Sequence, residues 1–445
     1  MKIHWEPQTK QIKALERPDF EILYGGSRGG GKTEAGQAWL LYDISHPKLR
    51  ALVIRRNSDD LKDWMDRARI MYAPCGAVFV GNPAEIRFPS GAKIRSGHLK
   101  DEGAYTKYQG HEYQRILIEE VTHIPSESLY EKLLGSCRST VPELRPQVFL
   151  TTNPDGDGHY WVKERFDCEN PDEKPRFFTD EATGITKSRI FIPAKVEDNK
   201  YLIENDPGYV AYLNSIKDPV LRRQWRDGSW VDPNVEGAYY ADLMRKAKDE
   251  GRIGNFPHQE GFTVDTWWDI GRGDANAIWF TQYAGREIHL IDYLEDEGQG
   301  LTYYAKELKR QSDKNGYLYG THYFPHDMAI KEYSTNVTRI QKATDLGLKP
   351  NKIVPKIGIE DGINAVRDIL GRCYFNEKTC KDGIRALKNY RKERDEKRDV
   401  YRNTPLHNWA SHGSDAMRYL TVGVGKFIEA SIGASVFKPK INRRV

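Results

Sequence analysis

Short apolar runs alternate with amphipathic stretches along the first half of the chain. Glu21-Ile22-Leu23-Tyr24, Ala51-Leu52-Val53-Ile54, Arg115-Ile116-Leu117-Ile118 and Gln147-Val148-Phe149-Leu150 read as strands, and residues 33 to about 45 read as a helix. Strands separated by helices predict an α/β domain with a parallel sheet and crossover connections. Residues 155–186 are rich in Asp, Glu, Pro and Gly and read as loop with some helix. Residues 199–230 read as helical, with apolar positions at Tyr209, Tyr212, Leu213 and Ile216. The run Asp232-Pro233-Asn234-Val235-Glu236-Gly237 then breaks the pattern.

The pattern starts over in the second half. Residues 263–270 and 277–283 read as strands, Gly285-Arg286 as a hairpin turn, and 288–292 as its returning strand. A helix is expected over 301–311, a strand at His322-Tyr323-Phe324, and a long helix over about 414–424. The expected division is a first domain over 1–235, a linker over 236–261, a second domain over 262–430 and a basic tail over 431–445.

The length of 445 residues is more than one hydrophobic core usually serves, in keeping with that division. Hydrophobic residues at 38% and charged residues at 30% fit a soluble globular protein. Positive and negative side chains nearly balance, leaving a net charge of +4, which permits nucleic acid as a partner without arguing for it. No apolar run approaches the ~20 residues that span a bilayer, so no membrane partner is expected. The segment Met1-Lys2-Ile3-His4-Trp5-Glu6 lacks the apolar stretch of a secretory signal. Cys75, Cys137, Cys168, Cys373 and Cys380 are scattered with no C-x-x-C pair, which reads as reduced thiols in a cytoplasm and no zinc knuckle.

Chemistry enters with Gly26-Ser27-Arg28-Gly29-Gly30-Gly31-Lys32-Thr33, which matches G-x-x-x-x-G-K-[ST] between a strand and a helix. Such a loop turns backbone N–H groups and a helix N-terminus toward phosphate oxygens. Lys32 is expected on the β- and γ-phosphates of ATP, and the Thr33 hydroxyl on Mg²⁺. Glu119-Glu120 end an apolar strand, at the edge where open α/β sheets bind ligands. Glu119 is assigned to Mg²⁺ and Glu120 to the catalytic water. Thr151-Thr152-Asn153-Pro154 ends another strand with small polar groups able to sense the γ-phosphate. Arg28, Arg55 and Arg56 are candidates for stabilising transition-state charge. Gln8 and Gln11 lie upstream of the loop, where a glutamine reading adenine or a solvated helix face are equally open.

In the second half Asp269 ends a strand, Asp327 follows another, and Asp415 opens a helix. Acids at three element ends can converge on divalent metal, Mg²⁺ or Mn²⁺, for phosphodiester cleavage. Asp415 can equally be a helix cap. Asp274, Asp292 and Glu295 are further acids nearby, and His412, one turn before Asp415, is a candidate ligand or proton carrier. The mixed-sign segment 390–398 reads as a solvated face whose basic excess can meet phosphates.

The order of these pieces resembles the large terminase subunit of tailed bacteriophages. The resemblance rests on the phosphate loop, Glu119-Glu120, Thr151-Thr152-Asn153-Pro154 with Gly158-His159-Tyr160-Trp161, Asp269, Pro325-His326-Asp327 and the segment from Ser411 to Tyr419. It implies an ASCE-type ATPase domain followed by a nuclease domain of RNase H-like fold. It also implies Asp269, Asp327 and Asp415 as metal ligands, with His412 assisting. The implied activity is ATP-driven translocation of double-stranded DNA into a procapsid in the host cytoplasm, with endonucleolytic cutting of concatemers. The implied partners are a small terminase subunit and the portal, with a pentamer on the portal and a monomer when free. Glu119 departs from the family's more frequent Asp. A helicase or repair ATPase with an accessory domain, and an ATPase with a non-catalytic docking module, are the competing expectations.

Overall fold

The apolar runs of the first half become strands that are buried on both faces. In a computed structural model describing residues 5–232, 236–271, 275–331, 337–395 and 400–431, the chain divides into two compact units, Met1–Asn234 and Val235–Val445. The first is built on a nine-stranded sheet. Its strands are β1 (Glu21–Gly26), β2 (Arg50–Arg55), β3 (Val78–Val80), β4 (Glu85–Arg87), β5 (Lys93–His98), β6 (Arg115–Ile118), β7 (Gln147–Thr152), β8 (Arg176–Thr179) and β9 (Thr186–Ala194). Alternate residues feed two cores. Ile22, Tyr24, Val53, Leu117 and Phe149 enter one, and Leu23, Leu52, Ile116, Ile118 and Leu150 enter the other. Burial on both sides is why these strands read as continuous apolar runs rather than alternating ones.

The strand order is β3-β4-β5-β2-β6-β7-β1-β9-β8. From β2 through β6, β7 and β1 to β9 every pairing is parallel, while β3, β4 and β8 extend the edges through antiparallel pairings. Counting only β1, β2, β6, β7 and β9, the order is fifth-first-fourth-third-second, the ASCE arrangement. It inserts β7 between β1 and β6, with Gly25 opposite Thr152 and Leu150 opposite Ile118. The polar end of β7 therefore lies between the phosphate loop and the acidic pair.

The helix expected to reach about residue 45 spans only Lys32–Trp39, and the following turns include Asp43 at φ 62°. The helical stretch over 199–230 is three helices, Lys200–Asn205, Pro207–Asn214 and Pro219–Asp227. Pro207 and Pro219 occupy first-turn positions behind the capping carboxylates of Asp206 and Asp218.

The second unit carries β10 (Ile253–Gly254), β11 (Val264–Ile270), β12 (Ala275–Ala284), β13 (Glu287–Glu297), β14 (Tyr319–Phe324), β15 (Asn351–Ile353) and β16 (Cys373–Asn376). Their order is β10-β16-β13-β12-β11-β14-β15. β12 runs antiparallel to both neighbours, β14 pairs parallel with β11, and β15 parallel with β14. Counted from β11, the run β13-β12-β11-β14-β15 reads 3-2-1-4-5, the RNase H-like topology. Trp267 and Trp268 point to opposite faces and enter different cores. Trp267 stacks on Tyr323 with ring centroids 3.8 Å apart.

The segment 236–261, expected to be a linker, holds the helix Ala241–Asp249 and strand β10. Tyr240, Met244, Ala247 and Ile253 lie in the second unit's core. Its dense surface charges hid an apolar stripe at helical spacing. The expected basic tail lies outside the described residues from 432 onward.

The helix Trp409–Ser431 packs on β11 and β12 through glycines. Trp279 Nε1 donates to the carbonyl of Gly413 at 2.8 Å, and a Cβ at Gly423 would come within 2.2 Å of the Trp267 ring. Gly423→Val should therefore lower the stability of this unit by about 1–3 kcal/mol through overpacking, more than the few tenths its helix propensity returns. Urea unfolding followed by tryptophan fluorescence measures this; an unchanged midpoint would mean the helix shifts on the sheet without cost.

Candidate active sites

β1 ends at Gly26, which has φ 146° and no room for a side chain, since a Cβ would meet the Ala194 carbonyl at 2.1 Å. That carbonyl accepts the Ser27 N–H at 2.8 Å and anchors the loop to β9. Gly29 and Gly31 continue at φ 80° and 70°, in the left-handed region, and deliver the chain into the helix Lys32–Trp39. The side chain of Lys32 is buried and donates to the Ser27 carbonyl at 2.5 Å and to Asn153 Oδ1 at 3.0 Å. Burial pushes its pKa below the usual lysine value, against the opposing charges of Glu120, Glu119 and Asp155. A cavity of about 610 Å³ opens here, lined by Arg28, Gly29, Gly30, Gly31, Lys32, Thr33, Arg55, Glu120, His123, Asn153 and Asp155 among others.

Glu119 and Glu120 follow the last residue of β6, at its carboxyl edge. The Thr33 hydroxyl donates to Glu119 Oε2 at 3.2 Å, so the two expected Mg²⁺ ligands are already in contact. The extra methylene of Glu119 is accommodated by Gly36 on the facing helix, where a Cβ would come within 3.0 Å of its carboxylate. Burial, with Arg55 opposing and Glu120 reinforcing, pushes the Glu119 carboxyl up to about 7. Glu120 adopts φ 52° and turns off the strand line. Asn153 holds it there, donating from its backbone N to Oε2 at 3.1 Å and from Nδ2 to Oε1 at 3.2 Å.

Gln8 and Gln11 are drawn into bracing the phosphate loop. Gln11 Nε2 donates to the Gly31 carbonyl at 2.7 Å, and its Oε1 accepts the Gln8 N–H at 2.8 Å. Gln8 Nε2 donates to Asn199 Oδ1 at 2.8 Å, and Asn199 Nδ2 donates to the Gly29 carbonyl at 2.7 Å. Both glutamines also line an adjoining cavity with Trp5 and Tyr201. Of the three arginines, Arg28 and Arg55 line the phosphate cavity, while Arg56 is paired with Asp157 at 2.8 Å. Arg28 lies over Trp225 at 3.2 Å from the ring centroid.

Sequence reasoning missed Asn199, Trp225, His123 and Asp155. Trp225 Nε1 donates to Asp155 Oδ2 at 2.9 Å, and Asp155 Oδ1 lies 3.8 Å from His123 Nε2. The proximity of His123 to Glu120, and of Asp155 to Asn153, in the sequence was the one available signal.

In the second unit, Asp269 occupies the last turns of β11, Asp327 the single 3₁₀ turn His326–Ala329 after β14, and Asp415 the helix Trp409–Ser431. All three are half-buried. Asp269 is pushed well above the usual carboxylate range by burial first, then by the charges of Asp415, Asp327 and Glu295, with Arg418 opposing. Asp415 is raised by burial against Arg418 and Tyr390. Its Oδ1 accepts from Arg418 Nη2 at 2.8 Å and from the Tyr390 hydroxyl at 3.2 Å. Asp327 Oδ1 is buried with no hydrogen-bond partner, and its Oδ2 lies 4.0 Å from Arg339 Nη1. His412 Nδ1 is 4.0 Å from Asp269 Oδ2. Glu295 accepts from the Tyr293 hydroxyl on the same face. Asp292 turns to the other face of β13, where it accepts from the Tyr317 hydroxyl at 3.0 Å, so it does not join the group. Asp274 lies outside the described residues. Three half-buried carboxyls, Asp269 raised by the charges of its neighbours and Asp327 with an unsatisfied oxygen, are a donor set that suits a hard divalent cation.

A family profile described as "Terminase large subunit, T4likevirus-type, N-terminal" matches residues 23–246. Among solved structures, the large terminase of a thermophilic bacteriophage is 18% identical, over 94% of this chain and 99% of its own, with a TM-score of 0.41. The large terminase ATPase domain of Thermus phage P74-26 is 15% identical, over 52% of this chain and 96% of its own, with a TM-score of 0.38. The large terminase nuclease of thermophilic phage G20c, solved with bound cobalt, is 14% identical, over 42% of this chain and 98% of its own, with a TM-score of 0.29. No curated protein matches the chain.

The raised carboxyl of Glu119 has a signed consequence for stability. Between the unfolded value of about 4.5 and the folded value of about 7, the unfolded chain releases this proton and the folded chain keeps it. Stability is thus full below pH 4.5, falls as pH rises toward 7, and is level above, a loss on the order of 3 kcal/mol. Glu119→Gln should flatten that slope. Urea midpoints at pH 5 and pH 8 for both proteins, without nucleotide or metal, test it, and equal slopes would contradict the assignment.

Proposed function

The chain belongs to the family of terminase large subunits, and on that basis we propose a residue-level account of how it hydrolyses ATP to package DNA and how it cuts that DNA. The observation that carries the ATPase half is the contact of Thr33 with Glu119 beside a Glu120 held by Asn153. The backbone N–H groups of the phosphate loop and Lys32 bind the triphosphate. Thr33 and Glu119 would hold Mg²⁺, which when bound neutralises charge on the β- and γ-phosphate oxygens. Glu120, aimed by Asn153, orients the attacking water and takes its proton. Arg28 and Arg55, on the same cavity, are the chain's own arginines available to the γ-phosphate.

For cleavage, Asp269, Asp327 and Asp415 would hold divalent metal, Mg²⁺ or Mn²⁺, which when bound stabilises the attacking and leaving oxygens of a phosphodiester. His412 and Glu295 border this group and orient or supplement it. The Arg418 guanidinium and the Tyr390 hydroxyl fix the Asp415 carboxylate. Contacts to the DNA backbone position the duplex without reading bases, so cutting has little sequence preference.

Family membership makes DNA and components of phage packaging the partners in general. The finer reading is a small terminase subunit that recognises DNA, docking on the portal of a procapsid, and a pentamer during translocation, with a monomer when free, all in the host cytoplasm. Among the described residues no helix is long and apolar enough to cross a membrane.

With the full chain, Lys32→Ala should abolish ATP turnover and leave plasmid cleavage in Mn²⁺ intact, while Asp327→Ala should do the reverse. Retained turnover in the first, or unchanged cutting in the second, would remove that residue from its site. Mn²⁺ should also raise the melting temperature of the wild-type chain, and that rise should be lost in Asp269→Asn.

A further inference from the structure

Resting on the ATPase reading above, we propose that His123, oriented by Asp155, is the positioning residue through which the proton taken by Glu120 leaves the ATPase site. Glu120, His123 and Asp155 bring ligand atoms within 4.8 Å of one another. All three line the phosphate cavity. Nothing in the assignment of Lys32, Thr33, Glu119 and Glu120 uses the other two.

The arrangement is held from several sides. His123 closes the single 3₁₀ turn Val121–His123, and its backbone N–H donates to the Glu120 carbonyl at 2.9 Å, which folds the ring back toward its neighbour. Gly156, at φ 88°, lets the chain after β7 pass against this ring; a Cβ there would meet His123 Cδ2 at 2.8 Å. Asp155 is fixed by Trp225, which occupies Oδ2 and leaves Oδ1 facing His123 Nε2 at 3.8 Å with no hydrogen bond of its own. That separation is within ion-pair range once the imidazole is protonated. The imidazole retains an exposed edge, with 43% of its side-chain surface open, so a proton arriving there reaches solvent.

The charges around the ring support the same direction of transfer. Asp155 from the loop after β7 and Glu120 from its own turn are anionic, Arg55 at the end of β2 is cationic, and Arg28 and Lys32 of the phosphate loop lie beyond them. The interaction with Asp155 raises the histidine above its ordinary value, burial works against this, and Glu120 adds to the rise. The transfer balances simply. As water attacks, its oxygen bonds to the γ-phosphorus, the bond to the leaving ADP oxygen breaks, and the water's proton passes to the Glu120 carboxylate. Glu120 then gives that proton to the neutral imidazole, Asp155 stabilises the imidazolium, and the imidazolium releases it to solvent. Glu120 is left ionised for the next turnover.

Because the receiving imidazole must be neutral, kcat for ATP should rise through an acid limb centred above pH 6.5. His123→Gln should lower kcat by about tenfold or more and erase that limb, with KM for ATP little changed. Asp155→Asn removes the charge that raises the histidine, so its limb should move to lower pH, a displacement that a purely structural role would not produce. Added imidazole should restore part of the kcat of His123→Ala. A wild-type pH profile in Asp155→Asn, full kcat in His123→Gln, or no rescue by imidazole would each overturn the proposal. Lys32→Ala is the control for the reading beneath it: turnover surviving there removes the ATPase assignment itself, whereas a dead Lys32→Ala beside a fully active His123→Gln removes only the histidine.

Discussion

Asn153 lies between the buried ammonium of Lys32 and the side chain of Glu120, and the first unit is organised around that contact. Its Oδ1 accepts from Lys32 while its Nδ2 and backbone N donate to Glu120. An unpaired ammonium or carboxylate in that environment would cost several kcal/mol. One amide side chain meets part of that cost for both, because it offers an acceptor and a donor on opposite sides. It can do so only where the chain inserts the strand ending in Thr151 and Thr152 between the strand of the phosphate loop and the strand of the acidic pair. Strand order, rather than any local motif, therefore sets the distance between Lys32 and Glu120.

The second unit meets a similar problem with different means. Asp269, Asp327 and Asp415 come from a strand end, a turn and a helix, so their approach depends on how closely that helix lies on the sheet. Two glycines decide it. Gly413 leaves its carbonyl open to the Trp279 indole, and Gly423 gives the Trp267 ring a place to lie. Large aromatics on the sheet and missing side chains on the helix make a close, dry contact. Burial beside that contact is what raises the carboxyls of Asp269 and Asp415.

Much of this was legible in the sequence because it is local. The phosphate loop, the acidic pair at a strand end, and Asp269 and Asp327 at or after strand ends each show in a few residues, whereas Asp415, expected to open a helix, lies inside the helix Trp409–Ser431. What was not legible depends on contacts between distant segments. Gln8 and Gln11 were open between reading a base and a solvated helix face, and they brace the backbone of the phosphate loop together with Asn199, 191 residues from Gln8. Asp155 had no visible partner until the fold put Trp225 and His123 on either side of it. The linker reading failed for another reason: Tyr240, Met244 and Ala247 do form a stripe, but at low mean hydropathy among Lys, Arg, Asp and Glu.

The same distant contacts decide how the phosphate loop keeps its shape. A run of glycines has little stiffness of its own, since its left-handed residues lose more conformational entropy on ordering than any others. Here Ala194 receives the Ser27 N–H, Asn199 and Gln11 hold the carbonyls of Gly29 and Gly31, and Trp225 receives the Arg28 N–H while stacking on its guanidinium. Gly228 completes the ring of supports, approaching so closely that a Cβ there would lie 2.6 Å from the Ser27 nitrogen. A loop whose own bonds cannot define it is thus defined by Gln11 upstream, by the end of β9 and by the helices that follow β9. Its geometry is as rigid as those segments are, and any change in the loop on binding phosphate must be accommodated by them.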